Sequence, residues 1–228
     1  MTQPTRDDWM ALSDEEVATL VTPHQLALLI SQDGTRRYAY LHDPASRQDW
    51  VRYTQVVADA TLALIEMCFA LGVQTVVVGM LWPPNFERGE AYTRAFLSPV
   101  GLPRLADAQH GKVYGRWNVR ARLSGSWRQA EPWVVEEMEK IAQQMVAVTP
   151  TGERLLLWEA DAGNIMEAAL RAALEVGPSQ DAVRAALYPE GPEQIHLAIK
   201  GGRIRSLNRV ISPLLLDRTD IYITNKLI

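Results

Sequence analysis

One short segment of the chain places an acid, a glycine and two arginines directly after a mostly apolar run. The run Leu28–Ser31 is followed within a few positions by Asp33, Gly34, Arg36 and Arg37. Glycine allows close approach of the backbone to a ligand, and arginine offers forked donors that match phosphate oxygens. An aspartate beside two arginines stays ionised, and its oxygens suit Mg²⁺. The segment fits an anion and metal site, but it equally fits a surface turn with a local ion pair of little energetic value.

Two further segments carry polar side chains after apolar runs. The segment LWPPNFERGEAY begins at Leu81 and contains the aromatic and polar residues Trp82, Asn85, Phe86, Glu87, Arg88 and Glu90. The segment IKGGRIRSLN begins at Ile199 and contains Arg203, Arg205, Ser206 and Asn208. The first also fits a proline-stiffened loop with acids near a helix start, and the second a glycine turn with solvated arginines. Taken singly, neither segment separates a ligand site from an ordinary loop.

The elements that must position these segments follow from the alternation of apolar runs and helical periodicity. That alternation predicts an α/β fold with a mainly parallel central sheet of about six strands flanked by helices. Predicted strands cover 24–31, 74–81, 119–125, 154–160, 195–202 and 220–224. Predicted helices cover 13–21, 47–71, 89–109 with a break near Pro99 and Pro103, 131–146, 164–175 and 179–187. Ligands of parallel sheets bind beyond the carboxyl ends of the strands, where the three polar segments would meet.

Composition limits the class of protein. The 228 residues fit one domain, 1–228, with residues 1–22 as a helical lead. A net charge of -4 gives no basic field for nucleic acid. The apolar runs are shorter than a bilayer span and MTQPTRDDWM has no signal-peptide core, which predicts a cytoplasmic protein that is not an integral membrane protein. The single cysteine, Cys68, excludes an internal disulfide, and its place on the apolar stripe of helix 47–71 predicts a packed side chain.

The order of the motifs is more specific than any one of them. A strand followed by D-G-x-x-R, a second strand followed by a loop with Asn and Arg, and a late G-G-x-x-R-x-x-N before DIYIT resemble the motifs of the cis-prenyltransferases, the fold family of undecaprenyl diphosphate synthase. The resemblance runs from His24 to about Thr224. It implies a cis-prenyltransferase-like fold, a prenyl diphosphate substrate, Mg²⁺ as cofactor and a homodimer.

The departures from that pattern point to one branch of the family. Arg36 stands where the chain-elongating enzymes have a glycine, ERGEAY replaces their W-x-R-P segment, and Ile199 or Lys200 replaces the arginine of R-T-G-G. These variants look more like the terpene-forming branch, represented by the tuberculosinol/tuberculosinyl-adenosine-forming enzyme and the kolavelool synthase group. Members of that branch ionise a finished prenyl diphosphate. The aspartate-rich second motif of the tuberculosinol enzyme is absent, since Pro83, Pro84 and Asn85 occupy that stretch.

The resemblance assigns roles to individual residues. Asp33 would hold the Mg²⁺–diphosphate, Arg37 and Arg205 would grip the phosphates, and Asn85 would lie near the leaving diphosphate, so that Asp33, Arg37 and Asn85 form the catalytic set. The other substrate-binding candidates are Gly34, Thr35, Arg36, Tyr38, Trp82, Phe86, Arg88 and Asn208, and the second metal-ligand candidate is Asp220. Trp82, Phe86, Tyr38 and Trp158 could form an aromatic wall around a carbocation, although Trp158 fits an ordinary core position better. His42 is either a base or a surface histidine.

The leading functional prediction is a Mg²⁺-dependent terpene synthase that ionises a C15–C20 allylic diphosphate and quenches the cation with water or by proton loss. Fixed cations aimed at a departing diphosphate favour such an ionisation. Two alternatives stay open. The first is a prenyltransferase that joins the prenyl cation to a second isoprenoid diphosphate or another nucleophile. The second is a non-catalytic subunit with the same fold, which the retained Asp33 disfavours.

Overall fold

The protein is built on a six-stranded sheet in which every described pairing is parallel. A computed structural model describes residues 5–32, 34–98, 101, 108–163, 165–201, 216 and 218–224. The strands are β1 (Ala27–Ser31), β2 (Thr75–Leu81), β3 (Val119–Ser124), β4 (Arg154–Ala160), β5 (Leu197–Gly201) and β6 (Asp220–Thr224). Their order across the sheet is β3-β4-β2-β1-β5-β6. The predicted α/β fold with a mainly parallel sheet of about six strands is confirmed.

Helices flank this sheet. They are α1 (Arg6–Met10), α2 (Asp14–Val21), α3 (Thr35–His42), α4 (Trp50–Ala70), α5 (Pro83–Phe86), α6 (Glu90–Phe96), α7 (Ala108–Arg116), α8 (Pro132–Val148), α9 (Ile165–Val176) and α10 (Gln180–Leu187). The predicted helix 89–109 corresponds to α6 and the start of α7, and Pro99 and Pro103 between them lie outside the described residues.

Two local features differ from the sequence prediction. β1 starts three residues later than predicted, because Thr22–His24 form a 3-10 turn and Gln25 adopts a left-handed φ of 48°. The segment after β1 is not a simple turn, since residues 35–42 form the helix α3. The reversal into α3 occurs at Gly34, whose φ of 85° is the left-handed conformation that glycine adopts at little cost. Glycine in that position carries no capping side chain, so the usual sequence signal of a helix start is missing.

The long helix α4 lies in the core as its periodicity predicts. Asp49 caps its start by accepting hydrogen bonds from the N–H groups of Val51 and Arg52. The helix ends before Gly72, which has a φ of 85° and packs so closely on α2 that an added Cβ would lie 2.8 Å from a backbone oxygen. Its 21 residues are long and apolar enough to cross a membrane. Its buried stripe packs in the core, however, so this length and composition do not indicate a membrane protein.

The sheet separates two hydrophobic cores. Because side chains alternate along a strand, even-numbered residues of β1, β2 and β4 lie on one face and odd-numbered residues on the other. One core contains Ile30, Val78 and Trp158 and is covered by α4 and α8. The other contains Leu29 and Leu157 and is closed by side chains that follow α10. The fold thus buries both faces of its central strands, as parallel sheets require.

Cys68 tests the packing of α4. Its side chain is buried, and burial raises the pKa of the thiol to about 11. The thiolate fraction at pH 8 should therefore be roughly two hundred times smaller than that of an exposed cysteine. We expect Ellman's reagent to react with the native protein at least roughly a hundredfold more slowly than with the protein in guanidinium chloride. Equal rates in the two states would show that the α4 stripe is not packed.

Candidate functional site

The topology marks the carboxyl end of β1 as the place where a ligand would bind. From β1 the chain moves to β2 on one side, and it later crosses to β5 on the other side of β1. Connections that diverge in this way leave a crevice beyond the carboxyl end of the shared strand. The segment with Gly34, Arg36 and Arg37 follows β1 at this end. The structure therefore puts this segment at the switch point of the sheet.

The start of α3 has an unusual distribution of charge. The neighbouring helix α2 begins with a capping box between Ser13 and Glu16 and has acids in its first turn. In contrast, α3 begins at Gly34 without a side-chain cap, and its first turn carries the exposed side chains of Arg36 and Arg37 and no acid. First-turn N–H groups lack intrahelical acceptors and give the helix start a positive potential. Two arginines there are unfavourable alone and become favourable when an anion binds.

Asn85 organises the loop after β2. Its Oδ1 accepts a hydrogen bond from the Trp82 N–H at 3.0 Å, and its Nδ2 donates to Tyr92 Oη at 3.1 Å. Both heavy atoms of this buried amide are thus engaged by the protein, and one N–H remains for a ligand. The ring of Trp82 folds back over β2 and occupies the space of a Cβ at Gly79. Phe86 is partly buried against the core.

Two tyrosines that the sequence did not single out connect the loops after β1 and β2. Tyr53 on α4 and Tyr92 on α6 are each 2% exposed. Tyr53 Oη and Thr35 Oγ1 are 2.7 Å apart, and Tyr92 Oη accepts from Asn85. Burial, followed by the proximity of the Tyr53 hydroxyl, raises the pKa of Tyr92 well above its usual range. The Tyr92 hydroxyl is therefore neutral at physiological pH. The rings of Tyr53 and Tyr92 contact each other with centroids 6.3 Å apart, so the two tyrosines link Thr35 and Asn85, which are 50 residues apart in sequence.

The same network brings Arg88 to this edge of the sheet. Its guanidinium carbon lies 4.8 Å from the centroid of the Tyr92 ring, within the range of a cation–π contact. The β1 exit is also held to α4 by Gln32, whose Nε2 donates to Thr61 Oγ1 at 2.7 Å. The predicted residues Thr35, Asn85 and Arg88 therefore belong to one connected group.

Two acids near the carboxyl end of β4 were also missed. Glu159 is fully buried and accepts a hydrogen bond from Tyr188 Oη at 2.8 Å; burial and the charge of Asp161 raise its pKa to about 8. Asp161 accepts from the Ser126 N–H at 2.8 Å and from Ser126 Oγ at 3.0 Å, and burial raises its pKa. A charged residue inside the otherwise apolar run RLLLWEA was the available signal. The edge thus carries a carboxyl group that stays protonated at neutral pH.

The other predicted residues lie elsewhere or outside the described part. Tyr38 stacks on the exposed His42 with ring centroids 4.0 Å apart, and His42 Nδ1 lies 2.9 Å from the Tyr38 carbonyl, which favours the surface-histidine interpretation. Trp158 is 1% exposed and is a core residue. Asp220 starts β6 and therefore lies at the amino edge of the sheet, opposite to Gly34. Asp33, Arg205 and Asn208 lie outside the described residues.

Within the described ranges, no group of three or more His, Cys, Asp or Glu side chains could hold a metal ion. The two acids near the carboxyl end of β4 are poor partners for Mg²⁺, because Glu159 is buried and Asp161 is engaged by Ser126. Asp33 is the acid whose type and position in sequence suit a metal there. The described side chains by themselves fit an anion better than a metal.

The strand order and flanking helices define the cis-prenyltransferase fold, which confirms the fold that the motifs imply. Lavandulyl diphosphate synthase from Lavandula x intermedia, solved in complex with dimethylallyl diphosphate, is similar with a TM-score of 0.68 and 16% identity over 88% of this chain and 87% of that chain. A probable undecaprenyl diphosphate synthase from Campylobacter jejuni has a TM-score of 0.58 and 18% identity over 88% of this chain and 86% of its own. No family model and no curated protein matches the sequence.

Glu159 makes a testable contribution to stability. Between its ordinary pKa of 4.5 and the folded value of about 8, the native state holds a proton that the unfolded state has lost. The free energy of unfolding should therefore fall as pH rises through this window, by about 1.4 kcal/mol per pH unit from this group. Glu159→Gln keeps an acceptor for Tyr188 and cannot ionise, so urea unfolding from pH 5 to pH 8 should lose that slope.

Glu175→Gln, at an exposed position of α9, is the matched control and should leave the slope unchanged. A Glu159→Gln protein whose stability follows the same pH dependence as the wild type would contradict a protonated Glu159.

Proposed function

We propose that this protein is an enzyme that binds a prenyl diphosphate, with the diphosphate at the N-terminus of α3, and releases the diphosphate from its allylic carbon. The observation that carries the proposal is the uncapped start of α3 at the switch point of the sheet, with Arg36 and Arg37 in its first turn. The likeness to lavandulyl diphosphate synthase and to an undecaprenyl diphosphate synthase supports a prenyl diphosphate as the anion.

The described residues supply three parts of this chemistry. Arg36, Arg37 and the first-turn N–H groups face a departing diphosphate with fixed positive charge, which stabilises the leaving group as its charge develops. Arg88 adds a cation from the β2 exit, where it is positioned by Tyr92. Asn85 offers its remaining N–H to the same region. Tyr92 holds Asn85 by a hydrogen bond and Arg88 by a ring contact before the substrate arrives, so these two donors need little reorganisation at the moment of ionisation.

An aromatic cluster lies directly behind these charges. Its ring centroids are 5.0 Å apart for Trp50 and Tyr92, 5.6 Å for Trp50 and Tyr53, and 5.4 Å for Tyr92 and Phe96. The electron-rich faces of such rings stabilise a cation, and their edges exclude water. We infer that the prenyl chain enters between α4 and α6, beside this cluster. Trp82 and Phe86, from the predicted aromatic wall, lie at the neighbouring β2 exit.

Mg²⁺ belongs to this proposal through Asp33. Bound with the substrate, it would neutralise part of the diphosphate charge and polarise the bond that breaks. Arg36 and Arg37 would also neutralise part of the diphosphate charge. Their contribution to the rate of pyrophosphate release can therefore be measured with and without the metal.

We further propose that ionisation does not require a second diphosphate. Elongating relatives grip a second diphosphate through an arginine where this chain has Ile199 or Lys200. Lys200 is 4% exposed and stands in register with Ser31 inside the sheet. A lysine in that position is poorly placed to reach a solvated diphosphate. The proposal therefore favours quenching by water or by proton loss over chain elongation.

Prenyl transfer is the second candidate function. It is favoured by the likeness to lavandulyl diphosphate synthase, since that protein was solved with dimethylallyl diphosphate bound and its name denotes a prenyl diphosphate product.

One assay separates these functions. The purified protein is incubated with MgCl₂ and farnesyl or geranylgeranyl diphosphate, with and without isopentenyl diphosphate, and released pyrophosphate is measured. We expect release without isopentenyl diphosphate, and we expect Arg37→Ala to lower kcat/KM about a hundredfold because a fixed donor to the leaving group is lost. Arg116→Ala removes an exposed arginine that pairs with Glu66 at the opposite edge of the sheet, and it should have no effect.

A strict requirement for isopentenyl diphosphate would establish prenyl transfer and refute the one-substrate reaction. Absence of release under every condition would favour the non-catalytic subunit.

We also propose that two copies of the chain associate through α9. Met166, Leu170 and Leu174 recur every four residues on this helix and are 54%, 65% and 88% exposed. One exposed apolar side chain is common, whereas an exposed apolar stripe marks a contact surface. A homodimer is also what the motif resemblance implies.

The double variant Leu170→Asp/Leu174→Asp should convert a dimer into a monomer, because charged side chains in an apolar interface lose their hydration without gaining a partner. Light scattering coupled to size-exclusion chromatography measures the mass. Leu20→Asp, at a 47% exposed leucine on α2, is the control. A wild-type protein that is monomeric at micromolar concentration would refute this contact.

A further inference from the structure

Two buried polar atoms on neighbouring strands have no hydrogen-bond partner among the described residues. They are Ser124 Oγ at the end of β3 and Glu159 Oε2 near the end of β4. The two residues are register partners in the β3–β4 pair, so their side chains leave the sheet on the same face. That face carries Leu157 and lies opposite to the face covered by α4 and α8. Both atoms therefore border one small region between the sheet and Tyr188, which follows α10 and contacts Glu159.

The burial of these two atoms makes their missing partners costly. Glu159 is 0% exposed, so bulk solvent does not reach its carboxyl group. Ser124 is partly exposed as a residue, but its Oγ is buried. The two atoms do not satisfy each other, because they are farther apart than a hydrogen bond. Buried polar atoms of this kind mark a bound water molecule or ion in native proteins.

Tyr188 decides which oxygen of Glu159 carries the proton. The Tyr188 hydroxyl donates to Glu159 Oε1 at 2.8 Å, so Oε1 is already engaged as an acceptor. Burial and the charge of Asp161 raise the pKa of Glu159 to about 8, so the carboxyl group is protonated at neutral pH. Its proton is then on Oε2, where it needs an acceptor. The Ser124 hydroxyl can both donate and accept a hydrogen bond.

A metal ion fits this region less well than a water molecule does. Mg²⁺ and Ca²⁺ need about six or more oxygen ligands. Glu159 Oε1 is engaged by Tyr188, and Asp161 Oδ1 accepts from the N–H and the hydroxyl of Ser126 at 2.8 and 3.0 Å. Among the described side chains, no group of three or more His, Cys, Asp or Glu could hold a metal ion. A water molecule needs only two to four polar partners, and it can accept from one and donate to another.

We propose that Ser124 and Glu159 bind one buried water molecule between the carboxyl ends of β3 and β4. The water accepts from Glu159 Oε2 and donates to Ser124 Oγ, with oxygen–oxygen distances of about 2.8 Å. It joins the edge strand β3 to β4 where their pairing ends, and Glu159 connects it to Tyr188. The site is independent of the proposed function, because none of these residues belongs to the candidate diphosphate site.

A high-resolution crystal structure, from crystals grown near pH 6, tests the site directly. We expect an electron-density peak about 2.6–3.2 Å from both Ser124 Oγ and Glu159 Oε2. A direct hydrogen bond between the two side chains, or the absence of a peak between them, would overturn the proposal. A peak with an anomalous signal after a soak in MnCl₂ or RbCl would identify a cation and would also overturn it.

Urea unfolding near pH 6 measures what the water contributes to stability. Ser124→Ala removes one partner of the water and should raise the equilibrium constant of unfolding about fivefold. Glu159→Met removes the other partner, so adding Ser124→Ala in that background should change the constant by less than about twofold. Glu159→Gln keeps a donor and an acceptor, and adding Ser124→Ala there should again raise the constant about fivefold.

Ser46→Ala is the matched control for the loss of a buried serine hydroxyl. Ser46 is 1% exposed, and its hydroxyl donates to the Asp43 carbonyl at 2.7 Å. Its substitution should have the same effect in the wild-type and Glu159→Met backgrounds, because the two sites share no partner. If Ser124→Ala also had equal effects in those two backgrounds, the proposal would be overturned. The crystal test needs no variant, so it decides the matter even if Glu159→Met does not fold.

Discussion

The hydrogen bond between Thr35 and Tyr53 attaches the turn after β1 to the core of the molecule, and the candidate site depends on this attachment. Residues 34–37 extend beyond the sheet, and their conformation is not set by strand pairing. Tyr53 Oη fixes them to α4 through Thr35 Oγ1 at 2.7 Å, and Asn85 fixes the loop after β2 to Tyr92, whose ring packs against that of Tyr53. Two loops that are separated in sequence thereby become one surface. The start of α3 and the Asn85 amide are thereby in place before a ligand arrives, and fixed donors of this kind favour electrostatic stabilisation of a leaving group.

The charged groups after β1 and after β4 differ in their exposure to solvent. The start of α3 has no capping side chain, and its two arginines are exposed. The two acids near the end of β4 are buried. Burial keeps Glu159 protonated at neutral pH by raising its pKa to about 8, and Asp161 is engaged by Ser126. Acids that stayed ionised and exposed there would compete with an anion for the arginines. Burial therefore removes two carboxyl groups near the end of β4 from the surface, whereas Glu87 and Glu90 after β2 stay exposed.

The agreement between sequence and structure follows from local physical causes. The strands predicted at 154–160 and 220–224 coincide with β4 and β6, since each is a short run bounded by turn residues. α2 begins where Ser13 and Glu16 form the predicted capping box, a pattern complete within four residues. α3 was missed because its start depends on the left-handed φ of Gly34 rather than on a capping side chain. Tyr53 and Tyr92 were missed because buried tyrosines resemble ordinary core residues until their hydrogen-bond partners are known. Glu159 had a signal in the sequence, a charged residue inside an apolar strand, but its partner Tyr188 comes from a distant segment.

By itself the sequence determined the parallel α/β architecture, the place of Gly34, Arg36 and Arg37 after the first strand, and the burial of Cys68, because periodicity, strand length and turn chemistry act over a few residues. Tertiary structure alone decided which of the polar segments meet. It linked Thr35 to Asn85 through the packed rings of two tyrosines from different helices, and it put Asp220 at the opposite edge of the sheet. Such contacts depend on strand order and register, which arise from the packing of the whole chain and have no counterpart in the spacing of residues along it.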